Sequence, residues 1–246
     1  MYKLPKETTR IKLEQLVLLA LGLGYFLELI KGGPISAYLL MYQGFSPVVS
    51  VHVESIYAYV LLIMSLLSLF QSPFIFRLIM GLMIGLIAYA GFYAHGGAFG
   101  LSNMLGGMLR AIWPMLMMFQ GNFKSHAIRI WLGSVFLLHG LQACFHSPAF
   151  LDYILNFVFQ IGQTYVDQGW VECLLIGIGL VDLVVAGILW FRPNTPVLLW
   201  AIFWILLTFA GRFASLQLQV LPDLFVRSSY LYAGFYVLWR INPDRT

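Results

Sequence analysis

Charged residues are scarce in this sequence. Asp, Glu, Lys and Arg make up 10% of its 246 residues, whereas an ordinary soluble domain has about 25%. So few charges cannot cover a water-facing surface, which excludes an ordinary soluble globular protein. Hydrophobic residues make up 61% of the chain. We therefore predict an integral membrane protein, with the lipid bilayer as its first partner.

Cysteines and known cofactor motifs are also scarce. Cys144 and Cys173 lie in or beside apolar segments without CxxC or Cys/His metal spacing, and are interpreted as small buried hydrophobic residues. No dinucleotide fingerprint, Walker loop or haem motif is present, so no cofactor is evident. The net charge of +4 comes from scattered basic residues near the ends of apolar runs. That pattern argues against a nucleic-acid partner and is typical of cytoplasmic membrane loops.

Long apolar runs define the predicted topology. A run of about 20 residues crosses a hydrocarbon core about 30 Å thick. Eight candidate spans have this character. They are 13–31, 52–70, 74–95, 102–120, 128–145, 169–191, 196–216 and 224–241. With this count the flanking basic residues fall on one side of the membrane, so both termini are predicted to be cytoplasmic, in a bacterial inner membrane.

Two connectors on the opposite side are too apolar for free loops. Residues 32–51 and 146–168 combine aromatic side chains with few charges, and each contains an early proline, Pro34 or Pro148. We predict that each forms a short helix in the outer interface, with Tyr and Phe at headgroup depth.

The connectors belong to an internal duplication. Val53-Glu54 and Val171-Glu172 each open a span after the connector, and Arg110 and Arg227 lie early in the last span of each half. Each half has an even number of spans, so the halves enter the membrane from the same side as parallel repeats. The predicted architecture is all-α, with two four-helix units at 1–122 and 123–246, each with an interfacial helix between its first two spans.

Several ionisable residues lie near the outer ends of the predicted spans. Depth estimates place them in two equivalent sets, Glu54, His95 and Arg110 in the first half and Glu172, Arg212 and Arg227 in the second. Glu and Arg reduce each other's burial cost when paired. Two interpretations stay open: each pair ties two spans together, or its arginine also binds an anionic lipid or quinone-like headgroup.

Asp182 and His139 lie deeper and have no equivalents in the first half. Their similar predicted depth suggests a pair, either a buried hydrogen bond between two spans or a site that handles protons or a ligand. Glu28 is close to Lys31 in the sequence and is interpreted as part of a rim ion pair. The remaining histidines have no metal-ligand spacing, and no metal site is predicted.

Several segments resemble the DoxX-like superfamily of small four-helix membrane proteins. In the second half they are WLGSVFLLHG leading to HSPAF, WVECLLIGIGLVDLVVAGILWFRP and VRSSYLYAGFYVLW. In the first half they are VESIYAYVLLIMSLLSLF and MLRAIWPMLMMF. The resemblance implies a four-helix bundle per repeat. It also implies membership of a membrane complex, since some members of the superfamily act in quinone-coupled sulfur oxidation or oxidative-stress complexes and others are cargo receptors or assembly chaperones.

Three functions follow from these features. The first is a non-catalytic accessory or assembly subunit that contacts other membrane subunits and binds a lipid or quinone headgroup at a Glu/Arg cluster. The second is a quinone-linked oxidoreductase subunit, which needs an electron donor from elsewhere. The third is a proton-coupled small-molecule transporter that uses Asp182 and His139.

Overall fold

A computed structural model describes residues 7–70, 74–216 and 221–241. Within these ranges the chain forms ten α-helices and one short 3-10 turn, and no strand. The helices are α1 (Glu7–Leu29), α2 (Pro34–Tyr42), α3 (Pro47–Leu67), α4 (Phe74–His95), α5 (Gly97–Leu116), α6 (Gly121–Cys144), α7 (Pro148–Gly162), α8 (Gln168–Phe191), α9 (Thr195–Leu216) and α10 (Leu221–Ile241), and the 3-10 turn (Ser68–Phe70) follows α3.

Among the residues that the structure describes, five helical segments are long and apolar enough to cross a membrane. They are α3 with its 3-10 turn, most of α4, α6, α8 and most of α9. The bent pair α1 and α2, whose axes differ by 46°, adds a sixth if it is counted as one span. This finding agrees with an all-helical membrane protein. The predicted count of eight spans also includes α5 and α10, which are not among these segments, and it stays a prediction.

α3 shows how the side chains suit a membrane. Its polar residues Ser50, Glu54 and Ser65 are buried, whereas Ile56 and Ile63 are 64% and 52% exposed. A soluble helix has the opposite arrangement, with its polar face toward solvent. Apolar side chains outside and polar ones inside are expected where the surrounding medium is hydrocarbon.

The described chain divides into two compact units. The first contains α1 to α5, residues 121–124 at the start of α6, and residues 222–232 of α10. The second contains the rest of α6, α7 to α9, and the remainder of α10. The predicted repeats, 1–122 and 123–246, stay a prediction, and residues 222–232 of α10 belong to the first compact unit.

Small residues on α1 allow close helix contacts within the first unit. A methyl group at Gly22 would overlap Ser65 of α3. A methyl group at Gly24 would lie 2.6 Å from the carbonyl oxygen of Pro222 and 2.8 Å from Cγ2 of Val226, both on α10. α1 therefore packs between α3 and the first turns of α10, and only glycine permits this approach at position 24.

α4 and α5 form a second close pair in the first unit. A methyl group at Gly81 would lie 2.7 Å from the carbonyl oxygen of Ala111, and one at Gly107 would overlap Ala88. Glycines at these two positions therefore allow α4 and α5 to approach closely. This packing fixes the face of α5 that carries Arg110.

Short helices form in both predicted connectors. α2 and α7 each have a proline in the first turn, where its missing N–H costs nothing. The rings of Tyr38, Tyr42, Tyr89 and Tyr93 form a contact cluster between α2 and α4. In the second unit, residues of α7 pack against a core formed by Ala143, Val171 and Leu175. The two short helices are confirmed, and their depth in a bilayer stays a prediction.

Candidate functional site around Arg110

Arg110 lies at the centre of a polar cluster in the first unit. Its side chain is partly buried on α5 and hydrogen-bonds with Tyr25 of α1. Glu28, Asp223 and Tyr230 lie within electrostatic reach of its guanidinium. The cluster therefore joins α5 to α1 and to the first turns of α10.

α10 supplies the second arginine of the cluster. The Nε of Arg227 lies 2.8 Å from Oδ2 of Asp223, one helical turn earlier. Arg227 is buried, whereas the Asp223 side chain keeps 29% of its surface exposed. Asp223 thus binds Arg227 directly and also faces the charge of Arg110. The close packing of α10 on Gly24 brings this pair to α1.

Glu28 is the accessible carboxylate of the cluster. Its electrostatic neighbours are Arg110, Asp223 and Glu54. Among the described residues its carboxylate makes no hydrogen bond or close ion pair, and the residue is exposed. Glu28 was expected to form a rim pair with Lys31, but the structure places its carboxylate near Arg110. An exposed acid and a partly buried arginine therefore lie within electrostatic reach of each other in an apolar unit.

Glu54 has a different role from the one that its position suggested. Its Oε2 accepts a hydrogen bond of 2.6 Å from the Gly33 N–H, and its Oε1 accepts one of 3.1 Å from the Ile35 N–H. Both donors lie at the start of α2, where backbone N–H groups have no partner within the helix. Glu54 is 1% exposed. Its carboxylate therefore caps α2 from a neighbouring helix.

The corresponding acid in the second half has another environment. Glu172 is partly exposed, and its Oε1 accepts a 2.7 Å hydrogen bond from Gln168 in the first turn of α8. Arg212 lies over the Tyr153 ring, 5.5 Å from its centroid. Since Glu172 and Arg227 belong to different compact units, their predicted pairing stays a prediction. The side chain of His95 lies outside the described part of the structure.

Asp182 and His139 have different partners in the second unit. Asp182 is 4% exposed and accepts a hydrogen bond from Trp204 of α9. Its Oδ1 has no hydrogen-bond partner in the described part of the chain. The His139 ring stacks on Phe150, with 5.8 Å between centroids. A direct pair of His139 and Asp182 therefore stays a prediction. The Asp182 carboxyl group has a hydrogen bond to one side only among the described residues.

Sequence reasoning missed three members of the Arg110 cluster, namely Tyr25, Asp223 and Tyr230. Asp223 could have been found, because it stands four residues before Arg227 and residues at this spacing meet on a helix. Tyr25 precedes Glu28 by three residues and shares its helix face. Tyr230 has no comparable signal, since its place depends on how α10 packs.

The cluster can bind a group that both donates and accepts hydrogen bonds. Arg110 is a permanent donor, tyrosine hydroxyls can donate or accept, and an ionised Glu28 only accepts. No group of three or more His, Cys, Asp or Glu suited to a metal ion occurs among the described residues. The geometry thus suits a polar or zwitterionic headgroup.

Comparisons of the chain with models of protein families, with curated proteins and with solved structures find no match. The likeness to the DoxX-like superfamily accordingly depends on the segments quoted above. The candidate site depends on the contacts of this chain alone.

The two acids that open equivalent spans should respond differently to the same change. Glu54→Gln removes a charge that holds two backbone N–H groups, so we expect the melting temperature to fall by about 5 °C. Glu172→Gln is the matched control and should change the melting temperature by less than about 1 °C. The Glu172 carboxylate accepts its hydrogen bond from the exposed Gln168 side chain. Thermal unfolding in detergent measures both. Equal shifts in the two variants would contradict the capping role of Glu54.

Proposed function

We propose that this protein is a non-catalytic accessory or assembly subunit of DoxX-like type in a bacterial inner-membrane complex. In this proposal both termini are cytoplasmic, eight helices span the membrane as two four-helix repeats, and other membrane subunits are its partners. The Arg110 cluster binds the polar headgroup of a lipid or a quinone. One observation carries the binding role: the exposed Glu28 lies within electrostatic reach of the partly buried Arg110 in an apolar helical unit, without a direct hydrogen bond to it among the described residues.

Energetics support a ligand at this place. A charged side chain at the centre of a membrane helix costs about 2.5 to 3.5 kcal/mol on insertion scales. Arg227 is neutralised directly by Asp223 at 2.8 Å, whereas Glu28 has only longer-range neighbours. A phosphate or carbonyl oxygen can accept from Arg110, and an ammonium or hydroxyl group can donate to Glu28. Such a headgroup offsets both remaining charges at once.

The packing of α5 supports its assignment as a span. α5 has 20 residues, which corresponds to about 30 Å of helix. It follows α4 after Gly96 and packs closely on it at Gly81 and Gly107. Since α4 is apolar and long enough to cross a membrane, close packing of a helix of similar length on it supports the proposal that α5 crosses as well.

The headgroup site can be tested by removing its arginine charge. Arg110→Gln should lower the amount of lipid or quinone that co-purifies with the protein about tenfold, because a charge-assisted hydrogen bond is lost. Arg192→Gln, the control, removes an exposed arginine at the end of α8 and should leave the amount unchanged. Extraction and mass spectrometry of the bound species measure both. A folded Arg110→Gln variant with the content of the wild type would contradict the proposal.

The same purified preparations show which membrane subunits and which bound molecules accompany the protein. Stoichiometric membrane subunits should remain bound during mild detergent purification, and extracted quinone would favour a quinone-linked complex over a purely lipid-bound one. A homogeneous monomer with no bound molecule would contradict the accessory role.

Asp182 supports a second candidate function, proton-coupled transport. Its Oδ1 is buried without a partner in the described part of the chain, while Trp204 holds the other side of the carboxyl group. A carboxyl group in this state can take up and release a proton within the membrane, as proton relays in transporters do. This interpretation concerns the second unit and is independent of the Arg110 cluster.

A neutral replacement tests this second function. Asp182→Asn should reduce proton flux in proteoliposomes under a pH gradient at least about tenfold, since Asn cannot carry the proton. Asp152→Asn, which changes an exposed acid on α7, should keep the flux of the wild type. Pyranine fluorescence inside the vesicles measures the flux. Equal flux in wild type and Asp182→Asn, or none in the wild type, would contradict transport by this route.

A further inference from the structure

A second charged cluster in the first unit lies near the start of α6. Glu14 is in the second turn of α1, and Lys124 is in the first turn of α6. Nζ of Lys124 lies 2.7 Å from Oε1 of Glu14, and the Tyr232 hydroxyl donates to the same oxygen at 3.0 Å. Glu14 and Lys124 are 7% and 6% exposed. This buried ion pair is the base of the cluster.

Two arginines lie near this pair, so the four side chains together carry more positive than negative charge. Arg10 of α1 and Arg77 of α4 lie within electrostatic reach of Lys124, and Arg77 also faces Glu14. The four side chains thus contain three cations and one carboxylate. Both arginines are partly exposed, so an anion from outside can approach them.

Arg77 is the least satisfied member of the cluster. Its Nη1 donates a 2.6 Å hydrogen bond to the backbone carbonyl of Met117, which carries no net charge. Its Nε is buried and has no hydrogen-bond partner among the described residues. The hydrogen bond to Met117 orients the guanidinium, and Glu14, which is already bonded to Lys124, is the acid that faces its charge.

The backbone adds to the positive potential. α6 begins at Gly121, three residues before Lys124, and helix N-termini carry partial positive charge. This dipole adds to the side-chain charges in the same direction. An anion is therefore favoured here by both sources.

We infer that this cluster binds a phosphate-bearing anion, either the headgroup of an anionic lipid or free phosphate. Arg77 and Arg10 contact the phosphate oxygens. Lys124 adds positive charge nearby, and its ion pair with Glu14 holds the lysine in place. The basic residues of this cluster lie on the side predicted to be cytoplasmic, where anionic lipids attract basic groups. The inference does not depend on the headgroup site at Arg110.

Binding of phosphatidylglycerol by the purified full chain tests this inference. Native mass spectrometry should show about tenfold weaker binding in Arg77→Gln than in the wild type, because a charge-assisted contact is lost. Lys12→Gln removes an exposed charge near the same end of α1 and should stay within about twofold of the wild type. Phosphatidylcholine should bind weakly to all three proteins.

Glu14→Gln should change phosphatidylglycerol affinity in the opposite direction from Arg77→Gln. Loss of the single carboxylate raises the positive potential, so phosphatidylglycerol should bind more tightly than in the wild type, which loss of structure alone would not produce. If Glu14→Gln does not fold, Arg10→Gln replaces it and should weaken binding. Competition by inorganic phosphate would identify free phosphate as a ligand, whereas lipid binding unaffected by phosphate would identify the headgroup.

Unchanged phosphatidylglycerol affinity in both Arg77→Gln and Arg10→Gln would overturn the inference. Arg110→Gln separates it from the proposed function. That variant should keep phosphatidylglycerol binding at the Arg77 cluster while it loses the species bound at Arg110.

Discussion

The close approach of α10 to α1 at Gly24 is the constraint on which the first unit depends. No side chain fits between Gly24 and the backbone at Pro222. Because of this contact, Asp223, Arg227 and Tyr230 reach the charged residues of α1 and α5. Without this contact, Arg110 would lose its acidic neighbour on α10. The Arg227–Asp223 pair would no longer lie beside α1 and α5.

Most charged side chains described for the first unit have specific partners, which makes their burial tolerable. Glu54 caps α2, and Glu14 joins Lys124 to Tyr232. Each of these acids offsets its burial cost with hydrogen bonds to donors that would otherwise be unsatisfied. Glu28 and Arg77 differ, because their direct contacts leave charge uncompensated. These two residues mark the two places where ligand binding is proposed.

The sequence was sufficient to predict the helical membrane class and the two short helices. These features depend on apolar run length and proline position, both of which are local. The partner of Glu54 was not predictable, because its capped N–H groups lie about 20 residues away and depend on how α2 packs. Glu54 and Glu172 look equivalent in the sequence but have different environments, since a local sequence pattern does not determine which residues pack against it. Tyr25 and Tyr230 joined the site for the same reason, through the contact at Gly24.

A side-chain-resolution density map of the detergent-extracted protein tests the central claim most directly. The account predicts density for a polar headgroup in contact with both Glu28 and Arg110, with Arg227 paired to Asp223 beside it. A map in which Glu28 and Arg110 close on each other as a direct ion pair, with no density between them, would contradict it.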